Sequence, residues 1–358
     1  IKNGTVTAKL GVAQVLSYYG DGDFVEPLCG ELINKDNSPI LRKATLDALE
    51  QLVHANNLSL LIELYNKSDN DLNAKASLLK LIGIVGGNDG QKLIFTVLLN
   101  KDAGMFMRAA AAEIIVNSLT IEASILYSNI YSNLEEEPEF RKFLISLITN
   151  ALSNYNPILE SLQKIICNTE DATLVHIAAV HAIGRIGNSK ITPLLIQAHQ
   201  NCDNVELELA IIEAIGKCGG ENGLLTIQKL LSTRRNITIE YRKVIYQALG
   251  NLDYPKSLDL LVGLLSNERD TRAFRPAIES VSKFEGSQAE SILINCLKTE
   301  YLPPAARAIA AVSIGRSRNP QLLDVLKDCL YDSSIDESLR DTIGTSITIY
   351  CKQHQLPL

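Results

Sequence analysis

The chain has 358 residues, 46% hydrophobic and 21% charged, with aromatic residues at 5% and no Trp. Those proportions suit a core built from aliphatic side chains and exclude disorder, collagen-like repeats and low-complexity sequence. The formal charge of −7 resides entirely in residues 1–179, so there is no basic footprint of the kind nucleic acid requires.

The first segment, Thr5 to Gly20, reads as a helix, and from it onward the chain repeats. A basic or equivalent residue opens each Ala/Leu-rich stretch: Lys9, Arg42, Lys75, Arg108, Arg141, His176, Glu208, Arg242, Arg275, Arg307 and Arg340, spaced 32 to 35 apart. Seven positions after these anchors stand Leu16, Leu49, Ile82, Ile115, Ile148, Ile183, Ile215, Leu249, Ile314 and Ile347, with Ser282 the one break. Eight positions after, five units have glycine: Gly83, Gly184, Gly216, Gly250 and Gly315. Each unit reads as a short Leu/Ile-rich first helix, as at 224–231, a polar turn, and an Ala-rich second helix, as at 176–184. Small residues at the third and sixth positions of that second helix let neighbours approach closely. Most prolines fall at helix entries, where the missing N–H costs nothing. Pro276 does not, and it is expected to disturb the second helix of the ninth unit. The glycine clusters at 86–90 and 219–223 read as helix C-caps between units. The last helix, Leu339 to Lys352, ends in a polar tail and reads as a cap.

A helix pair this short cannot bury its own apolar stripe, so neighbouring pairs must stack. The expected fold is all-α: an α-solenoid of about ten to eleven helix pairs with a 33-residue period, forming one array over residues 1–358. The second helices at His176–Gly187, Glu208–Gly219 and Arg307–Gly315 resemble HEAT repeats, in particular the short, regular form of the phycobilin lyase-like subgroup. That resemblance implies a binding scaffold, with the second helices lining a concave groove. It also implies an uncovered apolar edge on Thr5–Gly20, so a further segment or domain is expected before Ile1.

Few constellations suggest chemistry. Acids stand six before five anchors (Asp36, Asp69, Asp102, Glu135 and Glu170), and are expected to cap second helices and pair with basic anchors as a structural ladder. His176 and His181 are five apart and so do not share a helix face. None of the five histidines is followed by Glu, so the resemblance to the HEAT-like deoxyhypusine hydroxylases lacks its iron-binding His-Glu dipeptide. No metal and no cofactor are expected. Neither glycine cluster is followed by Gly-Lys-Ser/Thr, which excludes a P-loop. HEAT-like DNA glycosylases use a basic face with aromatic side chains, and this sequence offers neither. Seven cysteines without a C-x-x-C pair are expected to be free thiols in a reducing compartment, the cytoplasm. Cys296 and Cys329, 33 apart, read as small core residues. No apolar run reaches about 18 residues, so no membrane insertion is expected.

Positions five and nine after each anchor should face the groove. Most of these residues are polar, among them Ser146/Asn150 and Ser280/Phe284, and the most chemically loaded cluster is His181, Arg185, Glu213 and Lys217. Those four are the candidate partner-binding residues, suited to an acidic segment or carboxylate of a protein partner. The acidic run Glu135–Glu139 and the basic Arg234-Arg235 read as solvated turns, with Tyr127, Tyr131 and Tyr155 marking a second possible partner surface. The lyase-like resemblance implies an alternative, a bilin-handling protein in which His181, Arg185, Lys217 and Tyr241 or Tyr246 hold an open-chain tetrapyrrole. A third reading is the sensor or regulatory arm of a larger protein.

Overall fold

The computed structural model describes residues 5–68, 71–117, 120–149, 156–234 and 236–356, and these contain twenty-one α-helices and no strand. They form two compact units, 1–148 and 149–358. In the first unit lie α1 (Val6–Tyr19), α2 (Val25–Ile33), α3 (Pro39–Leu52), α4 (Leu58–Lys67), α5 (Leu72–Val85), α6 (Gly87–Leu99), α7 (Gly104–Asn117), α8 (Ile121–Ser132) and α9 (Pro138–Ser146). The second holds α10 (Asn156–Cys167), α11 (Thr173–Ile186), α12 (Thr192–Gln200), α13 (Val205–Cys218), α14 (Glu221–Thr233), α15 (Ile239–Asn251), α16 (Lys256–Asn267), α17 (Thr271–Val281), α18 (Ser287–Lys298), α19 (Pro304–Gly315), α20 (Leu322–Leu330) and α21 (Glu337–His354). Odd-numbered helices are the anchor-bearing second helices. Within each unit every one packs on the next, which is the layering of an α-solenoid.

The residue seven after most anchors supplies the core. Leu49, Ile82, Ile183, Leu249 and Ile314 are fully buried, and each stabilises the stack by about 1.5–3 kcal/mol relative to exposure. The glycine that follows sets the spacing. A Cβ on Gly216 would lie 2.5 Å from Ala248 Cα, and one on Gly315 would lie 2.7 Å from the Ser346 carbonyl oxygen. Ala248 and Ser346 stand six after their anchors, so glycine at position eight meets the small residue at position six of the next unit. Gly86, Gly187 and Gly219 close α5, α11 and α13 with φ between +67° and +77°, the left-handed region that glycine enters without strain.

Within each compact unit an ion-pair ladder joins neighbouring repeats, though not through the acids expected. Arg42 Nη1 bonds Asp71 at 2.7 Å, and Arg108 grips Glu136 through both terminal nitrogens at 3.0 and 2.7 Å. Arg242 reaches Asp270 at 3.3 Å. In these three pairs the answering acid stands four or five before the next anchor, where Asp71 and Asp270 also cap α5 and α17. Asp36, Asp102, Glu135 and Glu170 are exposed instead. Each follows an Asn (Asn34, Asn100, Asn133, Asn168) whose side chain accepts the N–H two residues on and so shapes the turn. Asp69 lies outside the described residues. A second contact recurs: Arg108, Arg141 and Arg307 each donate from Nε to the carbonyl ten residues earlier, at Leu98, Tyr131 and Leu297.

The repeats anchored by Glu208 and Arg275 depart from the pattern. Glu208 replaces the cation, and the charges swap: Arg234 bonds it at 2.6 Å, Tyr241 Oη donates to it at 2.5 Å, and His199 lies 3.1 Å away. In α17, Pro276 stands inside the helix, which ends early at Val281, leaving Ser282 exposed. Ser280 is not a groove residue as expected. It is buried against Gly250 and donates to the Pro276 carbonyl at 2.8 Å.

Candidate functional site

The face presented by α11, α13, α15 and α17 gathers the chemically loaded side chains of the second unit. Gly187 ends α11, and Asn204 caps α13 by accepting from Leu207 N at 2.9 Å, so both helices hold the register that aims positions five and nine outward. Gly184 lets α13 close on α11: a Cβ there would meet Ala214 Cα at 3.2 Å and Lys217 Cδ at 3.4 Å. The aliphatic stem of Lys217 thus lies over Gly184, which carries its ammonium toward α11.

The structure brings the four expected residues together. Lys217 Nζ bonds Glu213 at 2.5 Å, and His181 Nδ1 lies 3.9 Å from the other Glu213 oxygen. Burial holds His181 below the usual imidazole range; Glu213 opposes this, while Lys217 and Arg185 add to it. Desolvation likewise lowers Arg185. One cation of this face was missed in the sequence. Lys283 donates to Asn251 at 2.5 Å, and burial together with nearby Lys217 depresses its pKa against the pull of Glu279. It stands eight after Arg275, the position glycine occupies in neighbouring units, and the early end of α17 after Pro276 is what turns it outward. The signal was present in the sequence as the joint failure of the pattern at Pro276, Ser282 and Lys283.

Several expectations are corrected. Tyr241 and Tyr246 do not face a chromophore groove: both are buried and donate to Glu208 and Glu268. Tyr127 and Tyr131 are fully buried, Tyr127 donating to the Leu144 carbonyl at 2.7 Å, so neither marks a partner surface. Glu136 is not a solvated residue of an acidic run but the buried partner of Arg108. Arg234 is likewise committed to Glu208. Asn150, Tyr155 and Arg235 lie outside the described residues.

This cluster can hold a carboxylate by charge-assisted hydrogen bonds from Lys217 and Lys283. It offers no activated nucleophile: Cys218, next to Lys217, points inward to the Ile183 carbonyl at 3.9 Å, and burial pushes its thiol up to about 11. Among the described residues no group of three or more His, Cys, Asp or Glu side chains could hold a metal ion. Nor is any described helix long and apolar enough to cross a membrane.

No family model matches the chain, and no curated protein is similar to it. Similar solved structures include Kap121p, at 14% identity and a TM-score of 0.55 over 97% of this chain and 43% of that one. The chain therefore spans less than half the length of Kap121p. Others are the complex of CpcE and CpcF of phycocyanin lyase from Nostoc sp. PCC7120 (17% identity, TM-score 0.40, 65% of this chain and 95% of that one) and human deoxyhypusine hydroxylase (14%, 0.34, 74% and 96%). The Kap121p likeness, with the stacked helix pairs, shows a HEAT-type α-solenoid fold.

Proposed function

We propose that the chain is a protein-interaction scaffold and that the second-helix face of residues 149–358 receives an acidic segment of a protein partner. The observation that carries this reading is the row Arg185, Lys217 and Lys283, drawn from three second helices or their ends, in which Lys217 and Arg185 both act on His181, Lys217 acts on Lys283, Glu213 bonds Lys217 and Glu279 draws on Lys283. Like charges held together on an open face favour an anionic occupant, because each loses repulsion when a carboxylate arrives. The unbroken sequence period through Arg141 and His176 supports one repeat series along the chain. Seven unpaired thiols support a reducing compartment, and the cytoplasm is the location we propose.

A fluorescein-labelled decapeptide of alternating Glu and Gly tests the site directly. Its affinity should fall roughly tenfold in an Arg185→Ala, Lys217→Ala, Lys283→Ala variant, and should weaken with added salt in the wild-type protein. Helicity by circular dichroism serves as the folding control. Equal affinity of the folded variant would exclude this face.

A further inference from the structure

We propose that a cleft on the turn edge of the second unit is a socket for the arginine side chain of a protein partner. It has a volume of about 460 Å³ and lies between the α10–α11 and α12–α13 pairs, lined by Ile166, His176, Leu207, Ile211, Asp203 and Asn204 among others.

The ladder explains why the space is there. In three other units a second-helix arginine crosses to the next unit and meets an acid: Arg42 with Asp71, Arg108 with Glu136, Arg242 with Asp270. At this rung the anchor is His176. An imidazole is too short to cross, and its Nε2 donates back to the Asn168 carbonyl of its own turn at 2.7 Å. The acceptor side of the rung is nevertheless present. Asp203 stands five before its anchor Glu208, the register of Glu136 and Asp270; it is exposed, and no described cation forms an ion pair with it. Ile166 stands ten before His176, the register from which Leu98, Tyr131 and Leu297 offer a carbonyl to an arginine Nε. None of the residues lining the cleft is Lys or Arg.

The cleft thus keeps the carboxylate, the carbonyl register and an apolar wall of Leu207 and Ile211, and lacks the guanidinium. An arginine fits this set better than a lysine does. Its planar fork serves a carboxylate and a carbonyl at once, and its stem packs on the aliphatic wall. This site lies on a different face from the row of Arg185, Lys217 and Lys283, and takes the opposite charge.

The probe is N-acetyl-arginine amide, followed by the backbone amide signals of Asp203, Asn204 and Leu207. These should shift saturably, and the probe should bind at least roughly tenfold more tightly than its citrulline counterpart, which keeps the shape and loses the charge. His176→Arg should refill the rung from within, raise Tm by about 2 °C and abolish probe binding. Asp203→Asn, at an exposed position, should weaken binding several-fold whether or not His176→Arg folds. Lys217→Ala should leave it unchanged, so that failure here and failure of the acidic-partner reading are separate results. The proposal is overturned by the absence of saturable shifts, by equal binding of the citrulline compound, or by undiminished binding in a folded His176→Arg protein. Markedly tighter binding of free arginine than of the blocked amide would also overturn it, by assigning the socket to a metabolite.

Discussion

Arg108 is a charge enclosed on every side. Its guanidinium holds both Glu136 oxygens, donates to Leu98 and stacks 3.9 Å over the Phe140 ring, and both charged side chains are about 5% exposed. Removing one member leaves the other buried and uncompensated, whereas removing both restores an apolar contact. Arg108→Met and Glu136→Leu should each destabilise the protein by about 3–5 kcal/mol, and the double variant by less than either single one. The urea midpoints of the four proteins measure this, and a double variant as weak as the sum of its parts would show that packing, not charge, holds the site. The anchors themselves were legible in the sequence from their period. Their partners were not, because a residue's register says where its Cβ points while the reach of an arginine spans an acid four, five or six positions before the next anchor. The structure decided for four and five in these pairs, and Asp71 and Asp270 also cap their helices.

Helix spacing is governed by single atoms. Gly216 sits so close to α15 that a methyl group would meet Ala248 Cα at 2.5 Å and its carbonyl oxygen at 2.8 Å, backbone atoms that move only with their helix. At Gly184 the nearest atom of α13 would be 3.2 Å away. Alanine gains about 1 kcal/mol of helix propensity over glycine at either position. Gly216→Ala should therefore still lose about 2 kcal/mol net through forced separation of α13 and α15, while Gly184→Ala should stay near neutral. Equal urea midpoints for the two would mean that the stack yields freely at this contact. The same scale explains Lys283. The sequence marked the ninth unit as irregular, but only the packed helix shows that its early end replaces a close-packing glycine with a cation facing outward.

For the whole molecule, charge makes stability depend on pH from both sides. Glu31, Asp71, Glu136 and Asp270 all titrate below the usual carboxylate range, Asp270 at about 2 through its bonds to Arg272. Their contribution is present above the unfolded carboxylate pKa of about 4 and is lost as pH falls through the folded values. Burial lowers His181 and His199 as well, so the unfolded chain takes up protons first and the loss begins near pH 6.5. On the alkaline side, burial raises Cys29 to about 12 and Cys218 and Cys296 to about 11, so the unfolded thiols ionise first and stability declines above about pH 8.5. Tm should thus be level between about pH 6.5 and 8.5, fall gently to pH 5 and steeply below 4. A Tm unchanged down to pH 3 would show that the ladder carboxylates gain nothing from their partners.

The sequence alone determined the architecture, because a 33-residue period of Leu, Ile and Gly leaves stacked helix pairs as the way to bury every stripe. It also determined that His181, Arg185, Glu213 and Lys217 share a face, since four-residue spacings on regular helices leave little freedom. Tertiary structure decided what depends on side-chain reach and on irregularity: which acid answers each arginine, that Glu208 reverses a rung, that Lys283 joins the cationic row, and that His176 leaves its rung unbridged. Those outcomes turn on distances of a few ångströms between neighbouring repeats, which a periodic pattern does not encode.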